Sequence, residues 1–213
     1  KFLRYTLNSF TIVALDIVGV LISCSIVAFG FAMFNFKGKK LLFMLMLGTM
    51  MMPGQVTMIP NYVIWKELKA LDTYFPLIIP SFLGGAFGIF LLHQNFKSLP
   101  NAFYESALID GCHPIKILFK IYVPMSMPTI TALVVFTFLG AWNNTLGPLI
   151  YIKDRDLYTL TLGLLSLKNS TEMAANLAVK MAASSITMAP VIILFLMAQK
   201  YFVEGVASSG IKG

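Results

Sequence analysis

A polytopic bundle of transmembrane α-helices, all-α, is the fold this sequence predicts, on three observations. Of the 213 residues, 58% are apolar and only 12% charged, whereas soluble domains carry about a quarter charged residues. The mean hydropathy is +0.81. Uncharged runs of bilayer-crossing length recur along the chain, and none alternates with the period of a strand, which argues against a β-barrel.

In chain order the predicted spans are Phe10–Phe34, Leu41–Ile64, Tyr74–Leu92, Thr129–Ile152 and Met181–Ala198. Each approaches the roughly 20 residues that a helix rising about 1.5 Å per residue needs to cross the hydrocarbon. The first carries one charge, Asp16, and the second is interrupted by Pro53 and Pro60. Five spans would put the termini on opposite sides. The chain starts at Lys1 inside a juxtamembrane-looking Lys1–Tyr5, so a preceding span is expected, giving six in the intact protein. Phe10–Phe34 is too long for a cleavable signal peptide.

Charge excludes some functions and leaves orientation open. The net charge of +7 fits anionic lipid headgroups better than nucleic acid, because no basic surface with interleaved aromatics is available. The dense cluster Lys37, Lys39 and Lys40 favours a cytoplasmic Asn35–Lys40 linker. The 93–128 loop would then share that side, although the 16 basic residues divide evenly between the two sides. Cys24 and Cys112 imply no disulfide framework, and His93 is read as a helix-end residue near the interface. No G-x-x-x-x-G-K-[ST] phosphate cradle occurs. Asp154 and Asp156 flank Arg155 in a polar loop, the pattern of a solvated turn and not of an acid–base pair.

The segment 98–124 is a polar, Gly- and Pro-punctuated island between apolar runs. It reads as two short helices. Ser98 can cap the first, with Pro100 in its first turn. Leu99, Phe103 and Ala107 form one apolar stripe at i, i+4 and i+8, with Glu105 off it. Gly111 falls at the position of a left-handed helix-ending glycine, and Pro114 opens the second helix, whose Lys116 and Lys120 share a face. Pro124 and Pro128 then bend the chain into the next span. The first helix, about ten residues and roughly 15 Å long, suits a peg seated in another protein's groove; an ordinary interfacial hairpin fits the same pattern.

At this point the sequence resembles a known family. Glu105-Ser106-Ala107-x-x-x-Gly111, nine residues, then Ile121-x-Val123-Pro124 is similar to the E-A-A-x-x-x-G-x9-I-x-L-P loop of ABC importer permeases. Tyr104 through Gly111 has the form found in carbohydrate-uptake type-1 permeases, the maltose- and glycerol-phosphate-transporter kind. Leu71-Asp72-Thr73, Leu77-Ile78-Ile79-Pro80, Trp142-Asn143, Pro148-Leu149-Ile150 and the tail Ile211-Lys212-Gly213 extend the likeness over nearly the whole chain, toward the subunit type that ends in a short Gly-rich tail. Ser106, Cys112 and Val123 depart from the pattern but keep its sizes.

The resemblance implies that residues 1–213 form a single transmembrane permease domain in a bacterial or archaeal cell membrane, with 98–124 as its cytoplasmic coupling loop. It implies a second homologous permease subunit, two ATP-binding subunits that hold ATP and Mg, and an extracellular solute-binding protein. This chain would be no enzyme itself. Glu105, Ser106, Ala107, Asp110 and Gly111 would couple it to an ATP-binding subunit, and the solute would be a sugar or oligosaccharide. A sugar phosphate or acidic sugar, or a membrane scaffold that moves nothing, are the alternatives.

Residues for a solute path are fewer. Thr137, Gly140, Ala141 and Asn144 fall at i, i+3, i+4 and i+7 of the fourth span, a small-and-polar face that either packs on another helix or lines the path. Trp142 could stack on a sugar ring or anchor at the interface. Asp16, costly in hydrocarbon, should face protein or a wet cavity, as a solute contact or a partner to a neighbouring helix. Gln55, between Pro53 and Pro60, is a comparable candidate, because freed carbonyls there need partners inside the bundle. Lys168–Lys180 is a candidate docking segment for the binding protein.

Overall fold

One long helix, α1 (Phe2–Met33), is the axis around which the other elements pack. The computed structural model describes residues 1–168 and 177–209, all helix, turn or loop with no strand among them; the tail Ile211–Gly213 and most of Lys168–Lys180 lie outside the described residues. After α1 come α2 (Lys39–Thr49) and α3 (Gly54–Glu67), then α4 (Phe75–Ile78) with a 3₁₀ turn at Ile79–Leu83, and α5 (Ala86–Ser98). Next are α6 (Ala102–Ile109) and the helical run α7 (Pro114–Ile117), a π turn at Leu118–Tyr122 and α8 (Val123–Met125). The chain continues with α9 (Met127–Trp142), α10 (Leu146–Tyr151), a 3₁₀ turn at Arg155–Leu157, α11 (Leu160–Lys168) and α12 (Leu177–Ser209).

Three segments are long and apolar enough to cross a membrane: Phe2–Met33, Phe75–Ser98 and Met181–Gln199. Two bent pairs bring the number to five, α2 with α3 at 96° and Pro114–Met125 with α9 at 85°. Pro124 and Pro128 thus bend the chain as expected, since proline removes a helical donor and crowds the preceding turn.

Two expectations need correction. The fourth span is not continuous from Thr129 to Ile152: α9 stops at Trp142, and α10 starts afresh at Leu146. The Asn143 amide donates to the Leu139 carbonyl at 2.9 Å, and Asn144 Oδ1 accepts from the Gly147 N–H at 3.0 Å. These short amide side chains offer the backbone a non-helical alternative and end the helix. The break between α2 and α3 was expected to face the bundle interior, yet neither helix has a buried residue in this chain. Its backbone groups find local partners instead, with Met50, Met51 and Met52 N–H donating to Leu47, Gly48 and Thr49 carbonyls.

Two cores sit at opposite ends of α1. One gathers Cys24, Ala28 and Phe29 with Leu92 and Phe96 of α5, Ala107 of α6, Ile117, Leu118 and Tyr122, and Leu133 of α9. The other gathers Tyr5 and Val13 with Phe138, Trp142 and Leu160. At that second end polar groups hold the loops. Arg4 and Lys1 pair with Asp156 at 3.0 and 3.5 Å, and Asn8 Nδ2 donates to the Asp156 and Tyr158 carbonyls. Asp154 accepts from the Asp156 N–H at 2.9 Å, which makes the Asp154–Asp156 pair a structured turn.

Asp72 closes the same end. Its N–H donates to the Tyr151 carbonyl, and its Oδ1 accepts from Asp154 and Lys153 N–H at 2.8 and 2.9 Å, all at a left-handed φ of 60°. Those two backbone donors, Asp154 first, hold its carboxyl below the usual carboxylate range. The folded value lies below the unfolded one, so the stabilisation is present above about pH 4 and fades as pH falls through the lowered value. Asp72→Ala is therefore expected to melt below wild type at pH 7, with the gap closing in acid. Asp72→Asn, which tolerates the left-handed backbone, should recover part of it. Thermal scans of the detergent-solubilised protein across pH check both.

Candidate functional site

The segment 98–124 lies at the end of the bundle formed by Met33, Lys39 and Lys97, away from Asp72 and Asp156. Its first helix is shorter than expected and begins later. α6 covers Ala102–Ile109 with Asn101 at its N-cap, while Ser98 closes α5 and donates its hydroxyl to the Asn95 carbonyl at 2.7 Å. The predicted stripe is also only partly right. Leu99 packs on the core from the linker before the helix, Phe103 is 42% exposed, and Ala107 alone within α6 is buried. Tyr104, not Phe103, turns inward, its ring 5.9 Å from that of Phe29. With only eight residues there is room for one inward turn.

Ala107 and Tyr104 anchor α6 to the core around Phe29. Phe29 of α1 also meets Tyr122 of the π turn at 5.1 Å, edge to face, and Tyr122 meets Phe96 of α5 at 5.6 Å. The Val123 N–H donates to the Leu118 carbonyl, five residues back, which defines the π turn. Such wide turns are inserted where a helix is locally loosened, often at functional places. Aromatic contacts thus link α6 to α1 through Phe29, and Phe29 in turn to the π turn and α5.

The outer face of α6 is uncovered. Glu105, Ser106 and Asp110 are exposed, and Ile109 is 87% exposed, the highest value for a large apolar side chain among the described residues. Sequence reasoning missed Ile109, because one more isoleucine in an apolar chain carries no signal until its neighbours are known. Glu105, Tyr104 and Leu108 line one side of a pocket of about 430 Å³ whose other side is Asn35, Lys39 and Lys97.

Gly111 ends the helix in the left-handed region at φ +72°, and its N–H donates to the Leu108 carbonyl while Cys112 N–H donates to Ala107. A Cβ there would meet nothing within 4 Å. Within this chain the glycine is required by backbone conformation and not by crowding. Gly111→Ala is expected to cost about 1 kcal/mol, and Gly111→Asn less, both read as melting shifts of the purified subunit. Uptake per assembled complex that stays unchanged would restrict Gly111 to its cap.

The residues proposed for a solute path do not converge on one site. Thr137, Gly140 and Ala141 lie on α9, with Gly140 exposed and Ala141 against the second core. Asn144 is exposed but follows the end of α9, so it does not continue that face. Trp142 is 1% exposed, stacked on Phe138 at 5.4 Å, and its indole N–H donates to the Thr187 carbonyl of α12 at 3.0 Å. Its ring is covered by the chain itself. Asp16 accepts from Ser81 Oγ at 2.7 Å, and Ser23 Oγ donates to the Ser81 carbonyl at 2.9 Å, which ties α1 to the 3₁₀ turn before α5. Gln55 is exposed in the first turn of α3.

Straight and broken apolar spans, with an uncovered, glycine-ended helix at one end of the bundle, define a multi-pass membrane subunit. Residues 17–208 match the family described as binding-protein-dependent transport system inner membrane component, and the chain belongs to that family. It is 33% identical over 206 residues to the arabinooligosaccharides transport system permease protein AraQ of Halalkalibacterium halodurans, covering 97% of this chain and 73% of that one. It is 32% identical over 203 residues to the sn-glycerol-3-phosphate transport system permease protein UgpE of Pectobacterium atrosepticum, covering 95% of this chain and 72% of the other. The fold also matches, with a TM-score of 0.84 and 24% identity, a chain of a bacterial ABC transporter that imports the acidic polysaccharide alginate, over 94% of this chain and 75% of that one. The protein is a multi-pass permease component of the inner membrane.

Proposed function

We propose that this chain is one permease subunit of an ATP-driven importer for a sugar or oligosaccharide, working with a second permease, two ATP-binding subunits that hold ATP and Mg, and an extracellular solute-binding protein. The observation that carries the coupling is the geometry of α6. Ala107 and Tyr104 fix it to α1 and the π turn, while Ile109, Glu105, Ser106 and Asp110 face outward, uncovered. Ile109 fills an apolar groove on the ATP-binding subunit, the polar residues set register around it, and closure of that subunit displaces α6. In this reading the α6 end is cytoplasmic, in keeping with Lys37, Lys39 and Lys40 beside it.

The sugar assignment is supported by relatives named for arabinooligosaccharides. A sugar phosphate is the second reading, favoured by the relatives named for sn-glycerol-3-phosphate and by the net charge of +7. Half-buried Thr137 and exposed Gly140 of α9 are the residues assigned to the path, with Gln55 and Asn144 at the two helix breaks. Asp16 is assigned a structural role through Ser81.

The test is to purify the full-length chain from its native membrane and identify its companions by mass spectrometry. A P-loop ATPase and a second permease, lost when Glu105–Gly111 is replaced by a Gly/Ser linker, are the expected result. Uptake by the reconstituted complex, competed with neutral oligosaccharides and with sugar phosphates, separates the two solute readings. A chain that purifies with neither companion overturns the importer.

A further inference from the structure

A cavity of about 690 Å³ shares Lys39 and Lys97 with the polar pocket beside α6. Lys40 also lines it, and the remaining wall includes Phe36, Phe43 and His93. The Phe43 and His93 rings lie 4.5 Å apart, and His93 is 8% exposed with no partner for Nδ1 among the described residues. The cations come from two separate helices, α2 and α5. The ion pairs found among the described residues join Lys1 and Arg4 to Asp156 at the other end of the bundle, so these lysines have no carboxylate partner there. Lys39 donates instead to the Phe34 carbonyl at 2.9 Å. The start of α2, at Gly38, has no side-chain cap, which leaves the positive end of that helix open to an anion.

We propose that this cavity binds an anionic phospholipid, with its phosphate on Lys39 and Lys97 and the first part of an acyl chain along Phe36 and Phe43. Charge alone would suit any anion; the aromatic wall selects one with an apolar tail. The place in the fold fits, because α1 ends and α2 begins here, where apolar spans give way to a lysine-rich edge. Lysine stems can cover apolar surface while their ammonium groups reach the headgroup layer. Each lysine near an anionic surface contributes attraction comparable to a weak salt bridge, without a buried counterion of its own. The site is independent of which solute the protein moves.

The experiment uses the intact purified transporter with its partner subunits, delipidated in mild detergent and titrated with phosphatidylglycerol or phosphatidylcholine under native mass spectrometry. Wild type is expected to retain phosphatidylglycerol preferentially, and Lys39→Gln with Lys97→Gln to weaken it roughly 30-fold. Lys66→Gln with Lys69→Gln, placed near the other end, should leave binding unchanged. Phosphatidylglycerol, and not phosphatidylcholine, should also raise the melting temperature of the unmodified complex, a readout that needs no variant. Equal retention by the Lys39/Lys97 variant overturns the proposal. So does loss of the lipid whenever partner subunits are present, which would give the cavity to a partner. Binding of inorganic phosphate or glycerophosphoglycerol as tightly as the full lipid would make it a soluble-anion site and overturn it as well.

Discussion

Replacing Ile109 with aspartate is expected to abolish solute uptake while the chain still inserts and keeps its helices. Ile109 is 87% exposed at the end of α6, two residues before the left-handed Gly111, and touches nothing whose loss would unfold the subunit. Burying such a side chain in a partner's groove contributes about 1.5–3 kcal/mol, which is the range of an interface hot spot. A carboxylate in its place loses that contribution and adds an unpaired charge to an apolar contact. Loss of 2 kcal/mol alone corresponds to roughly 30-fold weaker binding of the ATP-binding subunit. Phe103→Ala, at 42% exposure on the flank of α6 nearer Ala107, should weaken docking less. Uptake and ATP hydrolysis in reconstituted vesicles, with the bound ATP-binding subunit quantified in parallel, measure both effects. Uptake by Ile109→Asp within twofold of wild type would sink the assignment of α6 as the coupling peg.

The spans and the α6 segment were legible because each rests on a strong local signal. Long uncharged runs have few stable fates other than membrane helices, and a glycine placed at the end of a short helix before a proline announces a cap. The end of α9 was not legible from hydropathy, since Ala141-Trp142 and Leu146 through Ile150 are apolar on both sides of the break. The signal was present in Asn143-Asn144-Thr145 followed by Pro148, a polar cluster with a backbone alternative to the helix. Reading through it made Asn144 part of the Thr137–Gly140 face. Trp142 was misjudged for a different reason. A buried indole and a sugar platform require the same residue, and only the Thr187 carbonyl on a helix 45 residues away tells them apart. Ile109 shows the limit from the other side: in a chain this apolar, exposure rather than residue type marks a contact, and exposure is a property of the fold.

Gly88 lies in the packed interior of the bundle and Gly140 on an open face of α9, and opposite results are expected when each is enlarged. Gly88 of α5 sits where α1 and α9 converge: a Cβ there would lie 2.8 Å from Cys24 Sγ and 3.2 Å from Leu133 Cδ1. Both neighbours belong to the core around Phe29, so they have little room to give. Gly88→Ala is expected to destabilise the subunit by about 1–3 kcal/mol, the usual cost of overpacking, and Gly88→Leu by more. Cys24→Ala removes the nearest atom and should restore part of the loss to Gly88→Ala, a coupling that a nonspecific defect would not produce. Gly140 is exposed on α9, with nothing within 4 Å of an added Cβ. Gly140→Leu should leave the melting of this subunit near wild type and yet reduce uptake, on the proposal that this open face meets either the second permease or the solute. The two are told apart by the amount of second permease that copurifies: a drop means helix packing, an unchanged amount means the path. Full uptake by Gly140→Leu would place that face against lipid and remove both Thr137 and Gly140 from the path.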